Sequence, residues 1–350
     1  MRKISSIKTS KILVLLLLMA TVFVGCGSDD DGDDELGNWV KKSSFDGDAR
    51  SGAASFTIGN KGYVFGGFDG DDRLNDLWVY DPDGQNDDNT NDFWSSNFND
   101  TNVPLDSFPG VARNGAVGFS IGTKGYIGTG YDGDDELKDF YEYDSETNEW
   151  TQLADFPGTA RVRALGFSIN GFGYVGTGND GSDQKDFYRY DPATNTWEQE
   201  FGFGGEKREE ASAFVIDNIA YVLGGYENES SVRDFYSFDG TTWTQLTDLD
   251  DEDEDNEVQI ARGSAFAIGG KGYVGVGVTT TLEDTLWEYT PADDSWDEVP
   301  GFVGSVRQYS SAFTFDSLDR AYILLGTNGS SYFNDVYEFE PDVLEDEDDD

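Results

Sequence analysis

The chain has 350 residues, with 70 Asp and Glu against 23 Lys and Arg, a formal net charge of −47, no histidine and one cysteine. So acidic a surface repels phosphate backbones, which excludes nucleic acid as a partner, and its self-repulsion favours solubility. Without histidine, and with a lone cysteine, the chain cannot build Ser-His-Asp or Cys-His nucleophilic machinery, zinc or copper sites of N and S ligands, or a disulfide.

At the N-terminus Arg2, Lys3, Lys8 and Lys11 precede an apolar run from Ile12 to Val24, and Gly25-Cys26 follows. The run is too short and its flank too basic for a membrane span, so it reads as a secretory signal. It resembles a bacterial lipoprotein signal, which implies lipidation at Cys26 and membrane contact through that anchor alone. Phe23 departs from the aliphatic residue such signals place three before the cysteine. The next segment, GSDDDGDDE, resembles the export signal that carries Bacteroidetes lipoproteins to the outer face of the outer membrane. The alternative is a solvated acidic spacer on a periplasm-facing protein. In either case the segment has too little apolar surface to order itself and serves as a tether.

Six related units then follow at a spacing of about fifty residues, the signature of a propeller or solenoid. Their cores are GYVFGG from Gly62, GYIGTG from Gly125, GYVGTG from Gly173, AYVLGG from Ala220, GYVGVG from Gly272 and AYILLG from Ala321. The last glycine recurs in all six (Gly67, Gly130, Gly178, Gly225, Gly277, Gly326), as expected where backbones approach closely or adopt positive φ. A phenylalanine stands seven before the tyrosine in five units (Phe56, Phe119, Phe167, Phe214, Phe266), and Phe313 stands nine before Tyr322 in the sixth. Downstream lie aromatic strands beginning at Asp76, Asp139, Asp186, Asp234, Thr285 and Asp335, and then Trp94, Trp150, Trp197, Trp243 and Trp296 in the first five units. With turn signals such as DPDG, DPATN and TPADD between the third and fourth segments, each unit reads as four short strands.

From Arg50 to Pro341 this pattern resembles the kelch family: an Arg-x-x-x-x-x-Phe entry strand, a Gly-pair strand, then spaced Tyr and Trp. The resemblance implies an all-β, six-bladed propeller with four-stranded blades. Four units replace the first glycine of the pair (Thr129, Thr177, Val276, Leu325), and Thr285 replaces the aspartate in unit five. Repeats that depend on a Gly-His element are disfavoured by the absence of histidine. The crosslinked Tyr-Cys copper chemistry of galactose oxidase, which shares the kelch-type fold, is excluded because the one cysteine is taken by lipid. The sixth unit lacks its tryptophan, and the segment around Trp39 looks like the missing outer strand, predicted to pair beside Val336 to Phe339 and close the ring. The chain thus divides into a signal at 1–25, a tether at 26–36, a propeller at 37–341 and an acidic tail at 342–350.

Each unit carries one arginine before its first strand: Arg50, Arg113, Arg161, Arg208, Arg262 and Arg307, five of them six before the phenylalanine and Arg262 four before it. Grouped at the channel mouth they would bind an anion bidentately. The alternative is that each pairs with a carboxylate and locks the ring. Acidic loops on the same face offer Asp69, Asp71 and Asp72, and Asp132, Asp134 and Asp135, as candidate oxygen ligands for calcium; none has twelve-residue loop spacing, and the alternative is that the loops are solvated turns. The functional expectation is a non-catalytic surface lipoprotein that binds a protein or glycan at the channel mouth. The alternative is a carbohydrate-active enzyme of epimerase or lyase type working with carboxylate, Tyr and Arg residues.

Overall fold

The computed structural model describes residues 36–83, 94–96, 107–249, 260–278, 281–315 and 317–344. All of its regular elements are strands, forming six four-stranded antiparallel sheets and one two-stranded ribbon at Tyr226–Glu227 and Ser230–Ser231. Each sheet is one blade of a β-propeller. In blade I the strands run Ala54–Ile58, Lys61–Phe65, Leu77–Tyr80 and Trp94–Ser96 from the channel outward. Blades II to V repeat this order, with innermost strands Val117–Ile121, Leu165–Ile169, Ser212–Ile216 and Ser264–Ile268.

Blade VI is assembled from both ends of the described chain. Its inner three strands are Ser311–Phe315, Arg320–Leu324 and Val336–Leu344, and its outermost strand is Leu36–Lys41. Trp39 lies opposite Phe339, in the register expected from the missing tryptophan. It is buried, with its ring 4.8 Å from Phe339 and 5.1 Å from Phe302. The ladder continues past Pro341 to the pair Leu36 and Leu344, so the blade outruns the 37–341 boundary by one residue at its start and three at its end. Val336 follows Asp335 at the face where the innermost strands begin. From there the strand runs about 25 Å to Leu344, at roughly 3.3 Å per residue. The described chain therefore starts, at Leu36, on the opposite face.

Alternation along the innermost strands explains the core. In Ala54–Ile58 the residues Ala54, Phe56 and Ile58 turn into the sheet interface, while Ser55 and Thr57 face the channel. The channel is lined by small residues because six strands converge there, and Gly118, Gly166, Ala213, Ala265 and Ala312 take the place of Ser55. Between blades the aromatic residues interleave. Phe108, for example, lies 4.5 Å from Phe65 of blade I and 5.0 Å from Trp150 of blade II.

Candidate functional site

Five of the six arginines are staples between blades. The side chains of Arg50, Arg113, Arg161, Arg208 and Arg307 are fully buried, and they pair with Asp76, Asp139, Asp186, Asp234 and Asp335. In Arg113, Nη1 donates to Asp139 Oδ1 at 2.6 Å and Nη2 to Oδ2 at 2.8 Å; Nη1 also donates to the Thr129 carbonyl at 3.1 Å, and Nε to the Val111 carbonyl at 3.1 Å. Its backbone meanwhile belongs to the preceding blade, donating to the Leu74 carbonyl and accepting from Gly67 N–H. With these donors spent inside the protein, little remains for a ligand. Burial opposes ionisation of Asp139, but the hydrogen bond and charge of Arg113, aided by the Tyr141 hydroxyl, hold its carboxyl below the usual carboxylate range. For Arg208, burial outweighs Asp234 and pulls the guanidinium below its ordinary value.

Two further sequence features meet at the staple. The first residue of the former glycine pair adopts positive φ even where it is Thr129 or Thr177 (both 59°), Leu325 (63°) or, in the staple-free blade V, Val276 (51°), a costly state for an L-residue and most of all for the β-branched ones. That conformation aims its carbonyl at the arginine: Thr177 O accepts from Arg161 at 2.8 Å and Leu325 O from Arg307 at 3.0 Å. Five residues before each stapled arginine stands a phenylalanine, Phe45, Phe108, Phe156, Phe203 or Phe302, with the guanidinium carbon 4.8–5.3 Å from its ring. This Phe-x-x-x-x-Arg spacing is legible in the sequence and outlines the staple better than the arginines alone.

Arg262 is not a sixth staple. The position six before Phe266 is Ile260, which is buried, and the matching aspartate is Thr285, so blade V lacks both partners together. Arg262 instead occupies the position four before the phenylalanine, held in the other blades by Gly52, Gly115, Arg163, Glu210 and Tyr309. These six residues surround the axis. Each donates its backbone N–H to the carbonyl of its neighbour, Gly115 to Gly52, Arg163 to Gly115, Glu210 to Arg163, Arg262 to Glu210, Tyr309 to Arg262 and Gly52 to Tyr309, at 2.8–3.3 Å. The closed ring of six hydrogen bonds narrows the channel at the face where the innermost strands begin.

All six ring residues are left-handed, with φ between 56° and 62°. Glycine takes this state freely, whereas an L-residue pays about 1–2 kcal/mol. Glycine serves in blades I and II, yet four consecutive blades carry side chains there. Those side chains converge. The Glu210 carboxylate, fully buried, forms an ion pair with Arg163 Nη1 at 2.9 Å and accepts from Arg262 Nε and from the Tyr309 hydroxyl. Arg163 also reaches Glu209 at 3.1 Å, and Arg262 reaches Gln308 Oε1 at 3.3 Å. Both guanidinium carbons lie over the Tyr309 ring, at 5.6 and 5.5 Å. Burial, then the Glu210 charge, push the Tyr309 hydroxyl well above its ordinary range, and burial with the neighbouring Glu210 raises Glu209. Above the ring is a cavity of about 150 Å³ lined by Gly52, Gly115, Arg163, Glu210, Arg262 and Tyr309.

Around this mouth stand half-buried aromatic side chains from the loops after the second strands. Phe68 and Tyr131 flank Arg73, whose guanidinium carbon is 5.2 and 4.6 Å from their rings and whose Nε donates to Asn114 at 2.9 Å. Tyr226 lies under Arg262 at 5.1 Å. In the same loops Asp69 and Asp132 each use Oδ1 to accept two backbone N–H groups, from Asp71 and Asp72 and from Asp134 and Asp135. These bonds lower both carboxyls below the usual range. Asp71, Asp72, Asp134 and Asp135 are exposed, and among the described residues no group of three or more acidic side chains is placed to hold a metal ion. Cys26, the apolar leader, the acidic tether to residue 35 and the tail from 345 lie outside the described residues.

The family model for the Kelch motif matches residues 49–86 and 130–157. With that pattern carried through six four-stranded blades, the chain is a kelch-repeat β-propeller. No curated protein matches it.

Proposed function

We propose that this protein is a lipid-anchored, cell-surface binding protein that takes a protein or glycan ligand at the propeller mouth without transforming it. The observation that carries this reading is the set of four left-handed, non-glycine residues, Arg163, Glu210, Arg262 and Tyr309, at a position where glycine suffices in two other blades. Strain retained at convergent polar side chains, where glycine would relieve it, points to function. The aromatic rim adds rigid, amphipathic contact surface. Chain direction supports the anchored reading as well. A lipid at Cys26 would join the propeller through Leu36, on the face opposite the mouth, and leave the mouth clear.

The test is binding of arrayed glycans and of surface-protein extracts by the full chain, compared with Arg163→Gly/Arg262→Gly. Loss of binding in the variant is expected; undiminished binding would remove the mouth as the site. Protease added to intact cells should degrade the propeller, and full protection would place it on the periplasmic side.

The second reading, a sugar epimerase or lyase, has one observation in its favour: Glu210, Tyr309 and two arginines meet in one cavity. A catalytic base needs a pKa near the working pH, however, and Tyr309 is displaced away from it. Conversion of a sugar to an epimer or an unsaturated product by the full chain would replace the binding reading.

A further inference from the structure

We propose that the mouth selects an uncharged sugar unit, the end residue of a neutral glycan, and discriminates against carboxylate-bearing sugars and acidic peptides. The inference rests on the mouth-binding reading and assigns its ligand class.

The place for an anion is already taken. A ligand carboxylate would be expected between Arg163 and Arg262, and the Glu210 carboxylate occupies that position with no exposure of its own. Glu209 supplies a second negative charge on Arg163. At the ring two guanidinium groups therefore meet two carboxylates, and the third, Arg73 on the rim, stands beside acidic loops and acts on Asp132, so the mouth carries no net positive charge to attract an acid. To admit one, Glu210 would have to give up both arginines and remain buried with the neutral Tyr309 hydroxyl as its remaining partner, a costly state for a charge. The surrounding protein, at −47, adds a repulsive field.

What remains accessible suits hydroxyl groups. The side chains of Arg163 and Arg262 are 40% and 33% exposed, and Glu209 is 19% exposed, so unused donors and acceptors alternate around the mouth. A sugar hydroxyl both donates and accepts and can bridge such neighbours, whereas a carboxylate only accepts. Gly52 and Gly115 leave their third of the mouth free of side chains, and outside the cavity the half-buried rings of Phe68, Tyr131 and Tyr226, each with one guanidinium over it, add apolar surface for the C–H groups of a pyranose. The cavity, about 150 Å³, is below the range that encloses a drug-sized ligand, which fits one sugar ring at the end of a longer chain.

The experiment titrates the full chain with the methyl glycosides of glucose, galactose and mannose and with methyl glucuronide and methyl galacturonide, at low and high salt. At least one neutral glycoside should bind, with its matching uronide about tenfold weaker or worse. Glu210→Gln removes the internal anion while keeping its shape, and should narrow or reverse that preference. Uronides binding as tightly as neutral glycosides, or no glycoside binding at all, would overturn the assignment. A uronide preference abolished by Arg163→Gly would leave the mouth as the ligand site and remove only the neutral-sugar class. Glycoside binding untouched by Arg163→Gly would instead remove the mouth itself.

Discussion

Arg113 and Asp139 form a bidentate ion pair whose guanidinium is fully buried, while the Arg113 backbone is hydrogen-bonded into the blade before it. One residue thus fastens two blades; the bidentate pair recurs at Arg50, Arg161 and Arg307, Arg208 reaches Asp234 through Nη2, and the backbone link to the preceding blade recurs at Arg50, Arg161 and Arg208. Arg113→Ala strands the partner carboxylate and removes an interblade contact. Breaking a buried pair costs about 3–5 kcal/mol, and the lower end applies because Asp139 keeps some solvent contact. Urea denaturation of the variant measures this loss; a change within error would contradict the staple.

The same pair sets a pH dependence. The Asp139 carboxyl is held below its unfolded value, about 3.9, so the stability it contributes is present above that pH and is lost as pH falls through the lower folded value. Asp139→Asn should be less stable at neutral pH and show a shallower loss of stability in the acid limb than the natural chain. Denaturation midpoints across the acid range decide it, and parallel curves would contradict the assignment.

Blade V offers a converse experiment, because Ile260 and Thr285 replace arginine and aspartate together. Ile260→Arg alone buries an unpaired charge and should destabilise strongly. Adding Thr285→Asp should recover a coupling of roughly 0.5–3 kcal/mol. A double-mutant cycle with no coupling would show that the blade V backbone does not offer the staple geometry.

Ring closure is tested at Trp39. It packs on Phe302 and Phe339, and its indole N–H donates to the Pro300 carbonyl at 3.4 Å. Trp39→Ala should cost about 3–5 kcal/mol. Deleting residues 36–46 should lower the melting temperature further, by opening the edge at Val336–Leu344. An unchanged melting point would refute closure by the N-terminal strand.

The ring was legible in the sequence because each blade repeats the same packing problem: Tyr against Phe, a close backbone approach at glycine, Trp at the rim. The register of Trp39 followed from what blade VI lacked. The arginines were legible as a set, but spacing alone could not tell a staple from a binding residue, and Arg262 was grouped with residues it does not match. Arg163, Glu210 and Tyr309 carry no repeat signal for a physical reason: the cavity they line lies where the blades differ from one another. Alignment on the phenylalanines would have found it, since the position four before reads Gly, Gly, Arg, Glu, Arg, Tyr. Which donors were already spent on carbonyls and aspartates depended on the fold.

The most direct test converts the mouth to glycine throughout, with Arg163→Gly, Glu210→Gly, Arg262→Gly and Tyr309→Gly in one chain. Removing both arginines with their carboxylate leaves Glu209 with solvent contact, and four left-handed side chains, at about 1–2 kcal/mol each, are relieved. Titration of this variant with the neutral methyl glycoside bound by the natural chain, at a melting temperature equal to or above the natural one, should show no binding. Retained binding, or a variant that cannot fold, would show that these four residues serve the ring and not a ligand.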